Sequence, residues 1–272
     1  VLEKLRLLHY APSPLISDST FVRRIHLDLT GLLPKTEVVQ TFLADDSADK
    51  RSQLIDRLLD SADYAKYWAR KWGDLLRLSR KQIGEGAVYK FADWLEQSIA
   101  VNQPYDEFAR DLLTAKGSSL LNPEANFIRT TINAEDAMES TSQLFLGSRI
   151  QCAKCHNHPF ERWTQDNYYG LTAFFARTRT KQLGKSGETF IWNAKEGEVK
   201  HPVSGKHQSP WVPDSGTFEL PPEKDRRDVF AEWLTKPGNP FFAKVEVNRI
   251  WASLMGIGIV EPFDDFRDTN PP

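Results

Sequence analysis

Apolar residues recur along the first half of the chain at spacings of three and four, the period of a helix with one buried face. Leu54, Ile55, Leu58 and Leu59 form one such face, with Ser47 placed to cap the helix. Tyr64, Trp68, Trp72, Leu75 and Leu76 repeat the pattern, and an aromatic stripe of this kind reads first as core. Val88, Phe91, Trp94, Leu95 and Ile99 mark another helix. Phe108, Leu112 and Leu113 mark one that starts near Pro104 and stops by Gly117. Ser118 to Arg129, with Pro123 inside it, reads as loop. A helix from Ala134 to Gly147, carrying Met138, Leu144 and Phe145, follows.

In the second half, Pro159 excludes Asn157 to Phe160 from a helix interior. Thr164 caps a helix with Tyr168, Leu171, Phe174 and Phe175 on its apolar face. The pattern then changes. Lys185-Ser186-Gly187 and Lys195-Glu196-Gly197 are turn signals, and Thr189 to Trp192 and Glu198 to Lys200 alternate like short strands. Helical spacing returns at Val229, Phe230, Trp233 and Leu234, then at Phe241, Phe242, Val245, Val247, Ile250, Trp251 and Leu254, with Gly256 as the stop. The fold class is therefore mostly α, an irregular helical domain with a small β-containing insertion around 180–222.

Length and charge narrow the function. The chain has 272 residues, 40% hydrophobic and 26% charged, enough for a substantial core. Its net charge of -2 argues against a nucleic-acid partner. No apolar run is long enough for a membrane span. The start, Val1-Leu2-Glu3-Lys4, is neither a signal peptide nor an initiator Met, and Asn270-Pro271-Pro272 ends without a cap; the chain reads as a segment of something longer.

The two cysteines, Cys152 and Cys155, are followed at once by His156. Two thiols at this spacing with an adjacent imidazole form the attachment pattern for haem c: thioethers to both vinyl groups and a proximal ligand to iron. Three other readings stay open. A redox dithiol would need a βαβ setting that the pattern lacks. Structural zinc could be held by Cys152, Cys155, His201 and His207. A local disulfide or a free thiol pair is the third.

Several stretches then resemble one family together: Phe21 to Pro34, Trp68 to Asp74, Gln151 to Phe160 with Gln165 to Leu171, Glu198 to Pro202, and Asn239 to Phe242 with Asn248 to Trp251. In this order they are similar to the planctomycete cytochrome-c-type domain family, followed by the opening of its usual C-terminal partner domain. The resemblance runs from about Asp18 to the end, with Asn167 where an Asp is common. It implies a domain over 1–222 and the truncated start of a second over 223–272. It also implies a periplasmic or otherwise extracytoplasmic setting, beside a redox partner protein or an adjacent cytochrome domain. The expected function is a monohaem electron-transfer domain. The alternatives are a haem-dependent oxidoreductase with an open distal site, possibly on carbohydrate, or a zinc-stabilised structural module.

Within that expectation Cys152 and Cys155 anchor haem and His156 binds iron. His158 is too near in sequence to reach the opposite face, and serves a propionate or the turn itself. The distal ligand is His201, Met138 or none, with Met255 and His26 as weaker choices. Arg149 and Arg162 flank the motif and suit propionates. Trp163, Tyr168, Phe174 and Phe175 could wall the porphyrin. Arg23, Arg24 and Asp28 read as a buried structural ion pair, and Asp264-Asp265 as a carboxylate pair that could bind Ca²⁺ or do acid-base work, with a solvated loop as the default.

Overall fold

The computed structural model describes residues 2–184, 187–267 and 269–270. The expected turn at Lys185-Ser186 lies outside them. The chain forms two compact units that divide after Trp68.

The first unit contains α1 (Leu2–Leu7), α2 (Asp18–Thr30), α3 (Thr36–Ala44) and α4 (Lys50–Leu59), and α5 (Ala62–Leu75) begins in it. Ser17 caps α2 by accepting the Thr20 N–H, and Gly31 ends it at φ 67°. Val22 and Leu29 from α2 meet Phe42, Leu54 and Leu58 in a small core. Asp49 takes the cap position of α4, whereas Ser47 donates its backbone N–H to Asp45 at 2.9 Å. Arg24 and Asp28 do pair, at 3.2 Å, but as an exposed i,i+4 bridge on the helix surface, so the buried ion pair expected there is corrected.

The second unit continues with α6 (Arg80–Ile83), α7 (Glu85–Ala100), α8 (Tyr105–Thr114), β1 (Gly117–Ser118), α9 (Asn126–Arg129), α10 (Ala134–Thr141) and α11 (Gln165–Thr172). After these come β2 (Thr178–Leu183), β3 (Glu188–Asn193), β4 (Val199–Lys200), β5 (His207–Gln208), β6 (Trp211–Val212) and β7 (Gly216–Thr217), then α12 (Arg226–Thr235) and α13 (Phe242–Met255). The fold is mostly α with a small β region, in the place where turn signals and alternation put it. The strands pair antiparallel, β1-β3-β2 in one sheet and β4-β5 and β6-β7 as two-residue ladders. Residues 118–129 are not the expected loop. Ala125, Phe127 and Ile128 are buried, and the Asn126 side chain donates to the Ser119 and Pro123 carbonyls, which winds the segment into a 3₁₀ turn and α9.

Aromatic rings organise this core. Trp72 meets Phe108 edge-on at 4.9 Å, Tyr105 stacks on Phe242 at 4.6 Å, and Phe174 lies 5.3 Å from Phe230. The described residues from 226 to 267 belong to the same compact unit. Arg227 donates to the Ala115 carbonyl at the end of α8 at 3.0 Å, and Arg110 of α8 donates to Thr235 at 2.8 Å. Arg177 and Arg226 share Glu198. Among the described residues, no helix is long and apolar enough to cross a membrane.

Candidate functional site

The Cys-His segment is presented by a chain of local breaks in helix geometry. α10 widens into a π-helical turn at Ser142–Leu146, stopped by Gly147 at φ 59°. A Cβ on Gly147 would lie 2.7 Å from both Phe266 and Val245, so only glycine permits this close approach. A 3₁₀ turn follows at Gln151–Lys154. With three residues per turn, positions three apart lie on one face. Ile150 and Ala153 therefore point into the core, and Cys152 and Cys155 both point outward as free, exposed thiols.

The imidazole beside them is oriented. His156 is exposed, and its Nδ1–H donates to the Asn157 carbonyl at 2.7 Å, which leaves Nε2 as the nitrogen free to act as a ligand. The loop is tied to α11. Gln165 donates its backbone N–H to Asn157 Oδ1 at 3.0 Å and its side-chain amide to the Lys154 carbonyl at 2.9 Å. Tyr169 Oη also donates to the Lys154 carbonyl, and Lys154 Nζ pairs with Glu135 at 2.5 Å. Thr164 and Asn167 close a capping box at the start of α11, so Asn167 performs the capping that its position requires. His158 is buried. Its Nδ1 accepts the Phe160 N–H at 3.3 Å, and burial, then the nearby Arg267 cation, lower its pKa. It is a neutral brace inside the turn.

Against this geometry, the sequence model of the PSCyt2 family, a protein of unknown function (DUF1549), matches residues 1–180, and that of PSD1, a protein of unknown function (DUF1553), matches residues 226–272. The chain belongs to the PSCyt2 family. No curated relative and no solved structure matches it. The PSD1 match places the PSCyt2 region in a larger multidomain context.

The PSD1 region reaches back to the PSCyt2 motif. Asp264 accepts from Arg149 at 2.6 Å and from Gln143 at 2.5 Å, and the Phe266 N–H donates to the Gly147 carbonyl at 2.6 Å. Asp265 is buried and pairs with Arg267. The two carboxylates thus serve separate partners and do not form the shared Ca²⁺ site considered from sequence. Arg149 is committed to Asp264. Arg162 lies over the Trp163 and Phe241 rings, at 5.6 and 5.5 Å.

The other expected ligands stand elsewhere. Met138 is in the core, with its sulfur accepting from Ser142 at 3.5 Å. His201 is buried, its Nδ1 accepting the Val203 and Ser204 N–H groups and its Nε2 3.5 Å from Asp166. His26, in the first unit, has its Nδ1 on the Val22 carbonyl, and Met255 is exposed at the end of α13. The zinc tetrahedron of Cys152, Cys155, His201 and His207 is not assembled: among the described residues, no three His, Cys, Asp or Glu side chains gather to hold a metal ion. Trp163, Tyr168, Phe174 and Phe175 are all core residues. Tyr168 donates to Glu139 at 2.5 Å, and burial, then this carboxylate, raise its pKa.

A haem fits the donor set, with two outward thiols on one face and an oriented imidazole next to them. The cavity adjoining Gln151, of about 480 Å³, is walled by Asp74, Asp136, Glu139, Arg249 and Asp264, a charged lining unsuited to a porphyrin face. The apolar company on the motif's own surface is Pro159 and Phe160, both exposed.

Proposed function

We propose that this PSCyt2 chain carries haem c on Cys152 and Cys155, with His156 as proximal ligand, and acts as a single-haem electron-transfer unit of a larger extracytoplasmic protein. The observation that carries this reading is the His156 Nδ1–H bond to the Asn157 carbonyl, which leaves Nε2 as the exposed ring's remaining nitrogen beside two unbridged thiols. When bound, the haem supplies a one-electron couple at the surface. The chain's own residues do the holding: Cys152 and Cys155 anchor, the Asn157 carbonyl fixes the His156 tautomer, and neutral His158 braces the turn. The exposed face from Cys152 to Phe160 leaves the site open to a redox partner, either a separate protein or an adjacent cytochrome domain. Covalent attachment requires reduced thiols and export, which places the mature domain in the periplasm or otherwise outside the cytoplasm.

A second reading, a haem-dependent oxidoreductase, is favoured by one observation. Met138 is packed in the core and His201 holds its own turn through Nδ1, so neither would readily serve as a second ligand to a haem held at Cys152, Cys155 and His156. Protein produced with haem-maturation machinery should show a Soret band that survives acid-acetone extraction, and carbon monoxide should shift it in the reduced state. A colourless product contradicts haem attachment. A reduced spectrum indifferent to carbon monoxide contradicts the open position and leaves electron transfer alone.

A further inference from the structure

The hairpin of β2 and β3 leaves one strand edge open. β3 lies between β1 and β2, so β2 is an edge strand. Its pairs with β3 run in unbroken register, without a bulge, and the strand contains no proline. The phase of the ladder is fixed from both sides of β3. The Arg177 carbonyl accepts the Ala194 N–H at 2.8 Å, in register with the β2-β3 pairs, and the Thr189 carbonyl is turned to β1, where it accepts the Ser119 N–H at 2.8 Å. Arg179, Lys181 and Leu183 therefore direct their backbone groups to β3, and Thr180 and Gln182 direct theirs to the free edge. Both are exposed, and among the described residues their backbone N–H and carbonyl groups have no partner.

The two faces of this edge differ. Thr180 lies opposite buried Ile191 and Gln182 opposite buried Thr189, so their side chains point inward, where they border a cleft of about 440 Å³ lined also by Ile128, Ile132 and Ala137. Arg179 and Lys181 lie opposite the exposed Trp192 and Phe190, on the outward face. Lys181 has no ion-pair partner among the described residues, and Arg179 donates to the Ala176, Thr178 and Glu196 carbonyls, none of which neutralises it. Glu188, the acid of this face, sits opposite Leu183 and bonds Ser118. An open edge is a template for another strand, and its charges select which one. A second copy is disfavoured: laid antiparallel on itself, β2 sets Arg179 against Lys181 when centred on Thr180, and Lys181 against its copy when centred there.

We propose that β2 takes up an extended segment of a partner protein as a further strand, one whose outward side chains are acidic and whose inward ones are small and apolar. Thr180 and Gln182 supply the main-chain hydrogen bonds, Lys181 and Arg179 meet the carboxylates, and the cleft receives an inward side chain. The edge does not involve the cysteines, and its test uses the whole chain. Backbone amide spectra are recorded while a short blocked peptide of alternating Glu and Val is titrated in, against the same peptide with Lys for Glu. The acidic peptide should give saturable, one-to-one shifts centred on Thr180 and Gln182. It should bind about tenfold more tightly than the basic one, the difference between attractive and repulsive cross-strand pairs at two positions. Thr180→Pro removes an edge N–H that the hairpin does not use and should abolish binding. Because proline can disturb a strand, the exposed change Lys181→Glu is the decisive variant; it should bring the two peptides to similar affinity. No saturable shift, equal binding of the two peptides to the wild type, wild-type affinity in Thr180→Pro, an undiminished preference in Lys181→Glu, or self-association through β2 would overturn the proposal.

Discussion

Asp225 is almost completely buried, and burial alone would push its carboxyl up; the hydrogen bonds and charge of Arg227 outweigh that and hold it below the ordinary aspartate value. Its folded pKa is therefore lower than its unfolded pKa of about 3.9, so the pair's contribution is complete above about pH 4 and is lost as pH falls through the folded value. Arg227→Gln leaves the buried carboxylate with only the exposed Lys116 ammonium, 3.9 Å away, and urea denaturation near neutral pH should show a loss of about 3 kcal/mol. The sign of the acid response should also reverse. With its partner gone, the Asp225 carboxyl rises above the unfolded value, and mild acid should narrow the gap between variant and wild type. A gap that widens in acid would contradict this assignment. Pairs of this kind differ in how legible they are. Asp225 and Arg227 are two positions apart, and the Cys152, Cys155 and His156 set is contiguous, so its chemistry could be read directly. Arg149 and Asp264 are 115 positions apart, and nothing local in either announces the other.

Elements with one buried face were legible because the face repeats. α4, α7, α8, α12 and α13 lie where apolar spacing put them, and α11 does so only as far as Thr172, before Phe174 and Phe175. The segment 118–129 was not legible, because its turns are too short for a period and Ala125, Asn126, Phe127 and Ile128 are all buried in succession. The same holds between α10 and the cysteines. Spacing shows a helix ending at a glycine, whereas the widening at Ser142–Leu146 depends on packing, with Arg249 donating to the Leu144 carbonyl at 2.5 Å. Gly147 is the pivot of this stretch. Gly147→Ala combines a left-handed backbone with a Cβ driven into Phe266 and Val245, and should destabilise by about 2 to 4 kcal/mol in urea titrations. A variant as stable as wild type would show that the PSD1 residues do not press on the entrance to the motif.

At the scale of the molecule, family boundaries and compact bodies follow different lines. The PSCyt2 match ends at residue 180 and the PSD1 match starts at 226, yet α12 of the PSD1 match is packed on α8, and the compact units divide after Trp68. A sequence boundary records which stretches travel together; it carries no information about which side chains share a core. The same limit applies to the site: the motif supplied its donors, and only the fold supplied Asn157, Glu135, Gly147 and Asp264 around them. The central claim is that the two outward thiols hold a haem, and intact-protein mass spectrometry of the periplasmic product tests it most directly. Addition of a thiol across a vinyl group loses no atoms, so the mass should rise by that of one whole haem and survive denaturation, and Cys152→Ala with Cys155→Ala should return it to the bare chain. A wild-type product at the bare polypeptide mass, made beside a control cytochrome that is fully loaded, would contradict the account.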